Sequence, residues 1–287
     1  MNIKLLLHRF RVQIEDLVLS APLPGYKKKL FGDHVNLFQS LNELRAKGYT
    51  SIGKVISLQD LERLKDAIDE ALQGQRSGMR VTWNDRVKYW QILNPLRLNS
   101  LLVFLAAHPL ALTLAQHYFG RRAYLSDIDM RRVPPTNMVD LEMNGYSSSN
   151  WHRDTRGRQL KMMVYLSNVG KDDNNFALLP STHRGAFRRK GEYLESRVKD
   201  EQASSMTLEP FEWYGQAGEA MLFDTNLVHR LRRKPSASTR DSITFYYNPG
   251  QSCWALDFDK EIILSLPDDA RAIFDEPPWP FKRMHHK

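Results

Sequence analysis

A single cysteine, Cys253, stands in a chain of 287 residues. Its solitude excludes an internal disulfide and any zinc site built on paired cysteines, and it suits a reducing compartment. No apolar run approaches the eighteen or so residues that a membrane span needs. No signal-type core with a small-residue cleavage site is present either, so the expected location is the cytoplasm. Internal repeats and low-complexity tracts are absent. What is present is 42% hydrophobic residues, enough for one large core, and a formal net charge of +8.

The chemistry concentrates in Asn150-Trp151-His152-Arg153-Asp154 and, far downstream, in Leu222 to His229. On an extended strand residues i and i+2 share a face, so His152 and Asp154 reach one ion while Arg153 points away. A third ligand must come from a distant strand, which a barrel or jelly roll supplies. His229 meets that need, following the apolar run Ala220 to Phe223, which reads as a buried strand after the turn Gly215 to Gly218. Two imidazoles and one carboxylate form the facial triad of non-heme Fe(II) oxygenases, with the opposite positions open for co-substrate and oxygen. Arg240 opens the strand-like run Arg240 to Tyr247, and its guanidinium suits a bidentate pair with the far carboxylate of 2-oxoglutarate. His183 is the nearest competitor for a ligand and is expected to be structural.

With these residues in place, the stretch from about Leu41 to Asn248 resembles the phytanoyl-CoA dioxygenase family of Fe(II)- and 2-oxoglutarate-dependent oxygenases. Leu44 to Tyr49 leading into Ser57 to Leu61 resembles the family's opening strand and helix, and Asn174 to Arg184 resembles its Asn-Gly and Pro-Gly-Ser-His segment. Phe176 and Thr182 stand where the family has glycines. The resemblance implies a double-stranded β-helix, a jelly-roll and cupin-like core, mainly β with flanking helices. It implies that His152, Asp154 and His229 hold Fe(II), that Arg240 pairs with the 2-oxoglutarate 5-carboxylate, and that O2 is the oxidant. Lys161, opening the strand Lys161 to Leu166, is placed by the resemblance as a polar 2-oxoglutarate contact. Halogenating relatives lack the carboxylate ligand, so Asp154 points to hydroxylation.

Periodicity divides the rest. Ser57 and Asp60 start a helix whose apolar positions recur through Leu72, and Gly74 ends it. A second helical stretch spans Ser100 to Phe119, interrupted near Pro109 and closed by Gly120. Strand-like runs cover Met79 to Leu93 and Ala123 to Val133, and strand signals dominate after Trp151. Two parts are expected: a basic amphipathic segment at 1–38 and the oxygenase domain at 39–287. In the first, Ile3, Leu7, Phe10, Ile14 and Leu17 line one helical face beside Lys4, Arg9 and Arg11. That face fits either a membrane interface or docking on the barrel.

Basic residues crowd the segments expected to border the pocket. Arg153, Arg156, Arg184 and Arg232 are the substrate candidates, because clustered positive charge focuses field on an anion. The expected partner is therefore an anionic small molecule or glycolipid, handled in the cytoplasm or at the inner face of the membrane. Charge and the N-terminal segment are similar to those of hydroxylases acting on the Kdo sugar of Kdo-lipid A. Acyl-CoA thioesters and anionic natural-product intermediates fit the same charge. A non-catalytic barrel binding phospholipid or nucleic acid is the competing class, and no recognition helix supports nucleic acid.

Overall fold

The computed structural model describes residues 37–85, 88–136, 149–154, 159–183, 198, 203, 209–235, 237–250, 253–254, 256–275 and 283–284. The basic segment at 1–38 and the proline-containing tail thus lie almost wholly outside the described residues. Helix α1 (Leu37–Lys47) leads into β1 (Tyr49–Lys54), followed by α2 (Leu58–Leu72), β2 (Val81–Asn84), β3 (Tyr89–Ile92), α3 (Leu101–Ala106) and α4 (Pro109–Phe119). Then come β4 (Tyr124–Val133), β5 (Leu160–Tyr165), β6 (Phe176–Leu179), β7 (Phe211–Trp213), β8 (Glu219–Asp224), β9 (Val228–Leu231) and β10 (Arg240–Asn248). Strand β11 (Cys253–Trp254), helices α5 (Lys260–Leu264) and α6 (Asp268–Arg271) and strand β12 (Arg283–Met284) complete the order.

Two antiparallel sheets face each other. The larger has seven strands in the order β1-β8-β5-β10-β4-β3-β2, and the smaller has three, β7-β6-β9. Such an arrangement of non-sequential neighbours is the jelly-roll core expected from the sequence. Alternation along the strands divides the large sheet into two unlike faces. One face carries Ile243, Phe245, Tyr247, Met162, Val164 and Leu222, which join the helices in the main hydrophobic cluster. Tyr247 donates its hydroxyl to Ala106 O at 2.8 Å, and Arg132 clasps Asp241 with two bonds of 2.8 Å while reaching Asp69 of α2 at 2.6 Å. The other face looks toward the small sheet, and the two sheets together build the site, with His229 on β9 and Lys161 and Arg240 on β5 and β10.

Local signals read from the sequence hold. Ser57 caps α2, accepting the Asp60 amide at 3.1 Å, and α4 ends in left-handed Gly120. One expectation is corrected. Leu101–Phe119 is, at 19 residues and mean hydropathy 1.3, long and apolar enough to cross a membrane by length and composition. Here it is broken at His108-Pro109 into α3 and α4, because proline cannot donate to the preceding turn, and most of it is buried in the core.

Gly48 decides how the first strand enters. It sits at φ +89°, and a Cβ there would meet His183 Nδ1 at 2.6 Å and Leu227 Cδ1 at 2.7 Å. Its carbonyl accepts the Asp224 amide at 2.8 Å. Gly48→Ala is therefore expected to destabilise the fold by about 2–4 kcal/mol, combining left-handed strain with overpacking. Chemical denaturation checks this, and a loss under about 0.5 kcal/mol, the scale of a neutral surface change, would contradict it.

Candidate metal centre

The three residues singled out by spacing come together. His152, Asp154 and His229 offer donor atoms that all lie within 4.8 Å of one another. Backbone pairing is the cause. His152 and His229 form an isolated antiparallel bridge with reciprocal N–H···O bonds of 2.9 Å, and the Asp154 amide donates to Thr225 O at 3.0 Å. The extended segment 152–154 thereby lies along the free side of β9, with Arg153 turned away. The imidazoles stand side by side with centroids 4.3 Å apart, and His229 Nε2 lies 3.8 Å from Asp154 Oδ2.

Orientation of the rings is set by short bonds to the chain itself. His152 Nδ1–H donates to Asn150 O at 2.8 Å and His229 Nδ1–H to Leu227 O at 2.7 Å. Each ring thus carries its proton on Nδ1 and leaves the Nε2 lone pair for a metal. Phe176 and Phe223 flank His229 at centroid distances of 5.4 and 5.5 Å, which keeps water from that side. Two neutral imidazoles and a carboxylate are a donor set that suits ferrous iron.

Electrostatics hold these groups in metal-ready states. Burial, reinforced by His152, pulls His229 down to about 3, and burial also lowers His152. Burial alone would raise Asp154, but the Lys161 ammonium and the two imidazoles hold it well below the usual carboxylate range. Lys161 Nζ donates to Asp154 Oδ2 at 2.7 Å and sits 4.5 Å from the centre of the Tyr246 ring. The lysine expected near the co-substrate thus lies against the candidate ligand carboxylate.

Two pH consequences follow. Mn(II) binding at pH 6 should release almost no proton, whereas an ordinary histidine would release about three quarters of one; calorimetry in buffers of differing ionisation enthalpy reads the difference. The unfolded chain protonates His229 near its ordinary value, while the folded chain resists until about 3. Stability of the metal-free chain is therefore full above roughly pH 6.5 and falls toward pH 3, by up to about 1.4 kcal/mol per unit from this group. A melting temperature flat across that window would contradict it.

Arg240 is buried at the start of β10. Its Nη1 donates to Asn174 O at 3.2 Å, its guanidinium carbon lies 5.8 Å from the Tyr165 ring centre, and its Nε has no hydrogen-bond partner among the described residues. Burial pulls its affinity for the proton down and the nearby Arg131 adds to this, with Tyr165 opposing. A guanidinium in that condition favours an incoming carboxylate.

The substrate candidates fare differently. Arg153 is buried and donates to Thr182 O at 3.2 Å, on the side opposite the donors. Arg232 pairs with Glu212; it continues the outward parity of Arg230, which lies 4.3 Å over the Trp151 ring. Strand alternation, which turns both away from the interior, removes them from the chamber wall. Arg156 and Arg184 lie outside the described residues. His183 is structural, its Nε2 3.2 Å from Arg45 O.

Sequence reading missed a second polar group. Arg240, Ser242, Thr244 and Tyr246 share the inner face with Val133, Arg131, Asp129 and Asp127, their register partners on β4. Arg131 pairs with Asp129 and lies 4.6 Å over the Tyr89 ring. Arg233, two positions beyond inward-facing Leu231, is buried nearby and pulled down to about 9 by burial and then by Arg240. The run Asp127-Ile128-Asp129-Met130-Arg131 carried the signal, since its polar members recur every second residue.

Comparison with known proteins agrees with this geometry. Residues 44–242 match the family model described as Phytanoyl-CoA dioxygenase (PhyH). No curated protein matches in sequence. Among solved structures, the chain is similar to the non-heme alpha ketoglutarate dependent carbocyclase SnoK from nogalamycin biosynthesis (17% identity, TM-score 0.58, covering 80% of this chain and 90% of that one). It is similar to HygX from Streptomyces hygroscopicus with nickel and 2-oxoglutarate bound (16%, 0.55, covering 78% and 92%). EctD from S. alaskensis, with 2-oxoglutarate and 5-hydroxyectoine, is a third (17%, 0.55, covering 78% and 82%). At such identities these likenesses speak for the fold. The matched family model spans both halves of the triad and Arg240, and the chain belongs to the phytanoyl-CoA dioxygenase family of Fe(II)- and 2-oxoglutarate-dependent oxygenases.

Proposed function

We propose that this chain hydroxylates an unactivated C–H bond of an anionic substrate, with His152, Asp154 and His229 as the iron ligands and Arg240 as the anchor of 2-oxoglutarate. The observation that carries the reading is the convergence of three donors within 4.8 Å, held along β9 of the small sheet, while Arg240 opens β10 of the large one. Iron with 2-oxoglutarate and O2 supplies the oxidising power, releasing succinate and carbon dioxide. The chain's own residues do the rest. Backbone carbonyls of Asn150 and Leu227 fix the ring tautomers, and Lys161 holds Asp154 ionised and in place. Arg240, rooted in the central strand, orients the far carboxylate, and the phenylalanines beside His229 keep the chamber dry.

Kdo-lipid A is the substrate candidate we put first. The net charge of +8 and the basic amphipathic segment at 1–38 suit an anionic glycolipid met at the inner membrane face. Oxygen- and 2-oxoglutarate-dependent gain of one oxygen by Kdo-lipid A tests this. Succinate formation without any modified lipid would redirect the search to acyl-CoA or natural-product intermediates, a class supported by the likeness to HygX, solved with hygromycin B bound. Deleting residues 1–35 should weaken pelleting with anionic liposomes, and unchanged pelleting would remove the membrane role. A barrel that only binds phospholipid or nucleic acid would have no need of the ordered donor set described above.

A further inference from the structure

The inner face of the large sheet continues past Lys161 as a wall of polar side chains. Lys161 is paired in register with Tyr246, and Tyr246 with Asp127 on β4. Asp129 accepts from Gln91 Nε2 at 3.0 Å and from the Tyr246 hydroxyl at a long 3.4 Å, and it pairs with Arg131. Asp129 is 5% exposed, whereas the Arg131 side chain keeps 31% of its surface accessible, with Tyr89 stacked on its flat side. Among the described residues the Nε of Arg131 has no hydrogen-bond partner. Contacts thus run without a gap from the candidate ligand Asp154 through Lys161 and Tyr246 to Asp129 and Arg131.

Such a wall is costly against hydrocarbon, because each buried polar group would lose its water without a replacement. Carboxylates accept hydrogen bonds and Tyr246 can both donate and accept, so hydroxyl groups satisfy this edge. Asp127 Oδ1 accepts the Ile128 amide at 2.8 Å, and Lys161 and Arg131 already bring positive charge to this wall, so a further ammonium is disfavoured by like charge. Arg131, on the same face as Arg240 and with the guanidinium edge that Asp129 does not occupy, suits an oxyanion.

Resting on the oxygenase reading above, we infer that Asp127, Asp129, Tyr246 and Arg131 form the substrate subsite, and that it takes a polyhydroxylated compound carrying a carboxylate or phosphate, of the acidic-sugar type. Asp127 and Tyr246 read hydroxyls beside the oxidised carbon, and Arg131, braced by Asp129, reads the oxyanion.

Calorimetric titration of the full chain loaded with Mn(II) and 2-oxoglutarate tests this with three probes: gluconate, which has both features, sorbitol, which has only hydroxyls, and hexanoate, which has only the carboxylate. Gluconate is expected to bind about ten-fold or more tightly than either of the others, the scale of hydrogen bonds to charged groups. Asp127→Asn should weaken gluconate about five-fold and leave hexanoate unmoved, and Arg131→Gln should bring gluconate to the level of sorbitol. Where either variant fails to fold, Asp127→Glu and Arg131→Lys replace them, with losses in the same direction. Hexanoate equal to gluconate, gluconate competing with 2-oxoglutarate, or variants that bind gluconate like the parent would each overturn the inference. Absence of metal-dependent 2-oxoglutarate binding would instead sink the oxygenase reading, and gluconate titration of the unloaded chain would still decide the subsite.

Discussion

Alanine at Asp154 or His152 is expected to bring 2-oxoglutarate-dependent succinate formation down to the level of a protein-free control. Each substitution removes one of the three donors that lie within 4.8 Å. Loss of an outer partner of a metal ligand already costs roughly 10- to 100-fold in affinity, and loss of a ligand costs more. At Asp154 a second penalty adds to the first. Lys161 donates to that carboxylate at 2.7 Å, so Asp154→Ala leaves an uncompensated ammonium beside two imidazoles, and this charge repels a divalent cation. Asp154→Ala should accordingly bind metal more weakly than His152→Ala. Asp154→Ala/Lys161→Met, which removes both charges, should recover part of that difference without recovering turnover. Equal metal affinity in the two single variants would argue against the electrostatic role given to Lys161.

Arg240→Ala should raise the 2-oxoglutarate requirement by roughly 30- to 3,000-fold, the range of a buried, hydrogen-bonded charge pair that loses one partner at about 2–5 kcal/mol. The guanidinium is buried, with Asn174 O accepting from it at 3.2 Å and the Tyr165 ring beside it, and among the described residues it forms no ion pair, so an incoming carboxylate would be its partner. Arg240→Lys should recover little, since an ammonium cannot form the bidentate pair and would be deprotonated more easily at a buried position. Metal affinity without co-substrate should be unchanged in both variants, which separates anchoring from collapse of the site. A 2-oxoglutarate KM within three-fold of the parent would remove Arg240 from its role.

Much of this site was legible before any coordinates. His152 and Asp154 are linked by the two-residue period of extended chain, and His229 and Arg240 by the apolar and β-branched runs that precede or follow them. What the sequence hid was parity. In Met130-Arg131-Arg132, one arginine enters the chamber and the next staples α2 to the outer face through Asp69 and Asp241. Clustered charge therefore pointed to Arg153 and Arg232, which alternation turns outward, and passed over Arg131. The break near Pro109 was readable, but the span-like length and hydropathy of Leu101–Phe119 were not recognised; that hydropathy serves the core here. Helix caps, by contrast, are local, and Ser57 and Gly120 were readable because their partners lie within four residues.

The alternation also explains why one sheet serves both stability and chemistry. β10 is buried along its whole length, with Ile243, Phe245 and Tyr247 packed under the helices and Arg240, Ser242, Thr244 and Tyr246 facing the chamber. A substitution on the first set should lower stability, and one on the second should alter binding while sparing the melting temperature.

Equilibrium titration of the metal-free chain with Fe(II) under anaerobic conditions, followed by 2-oxoglutarate, tests the central claim most directly. One equivalent of iron per chain should bind, the visible charge-transfer absorption should develop only when both are present, and it should be absent from His152→Ala, Asp154→Ala and His229→Ala. Iron binding of the same stoichiometry and affinity in those three variants would contradict the account.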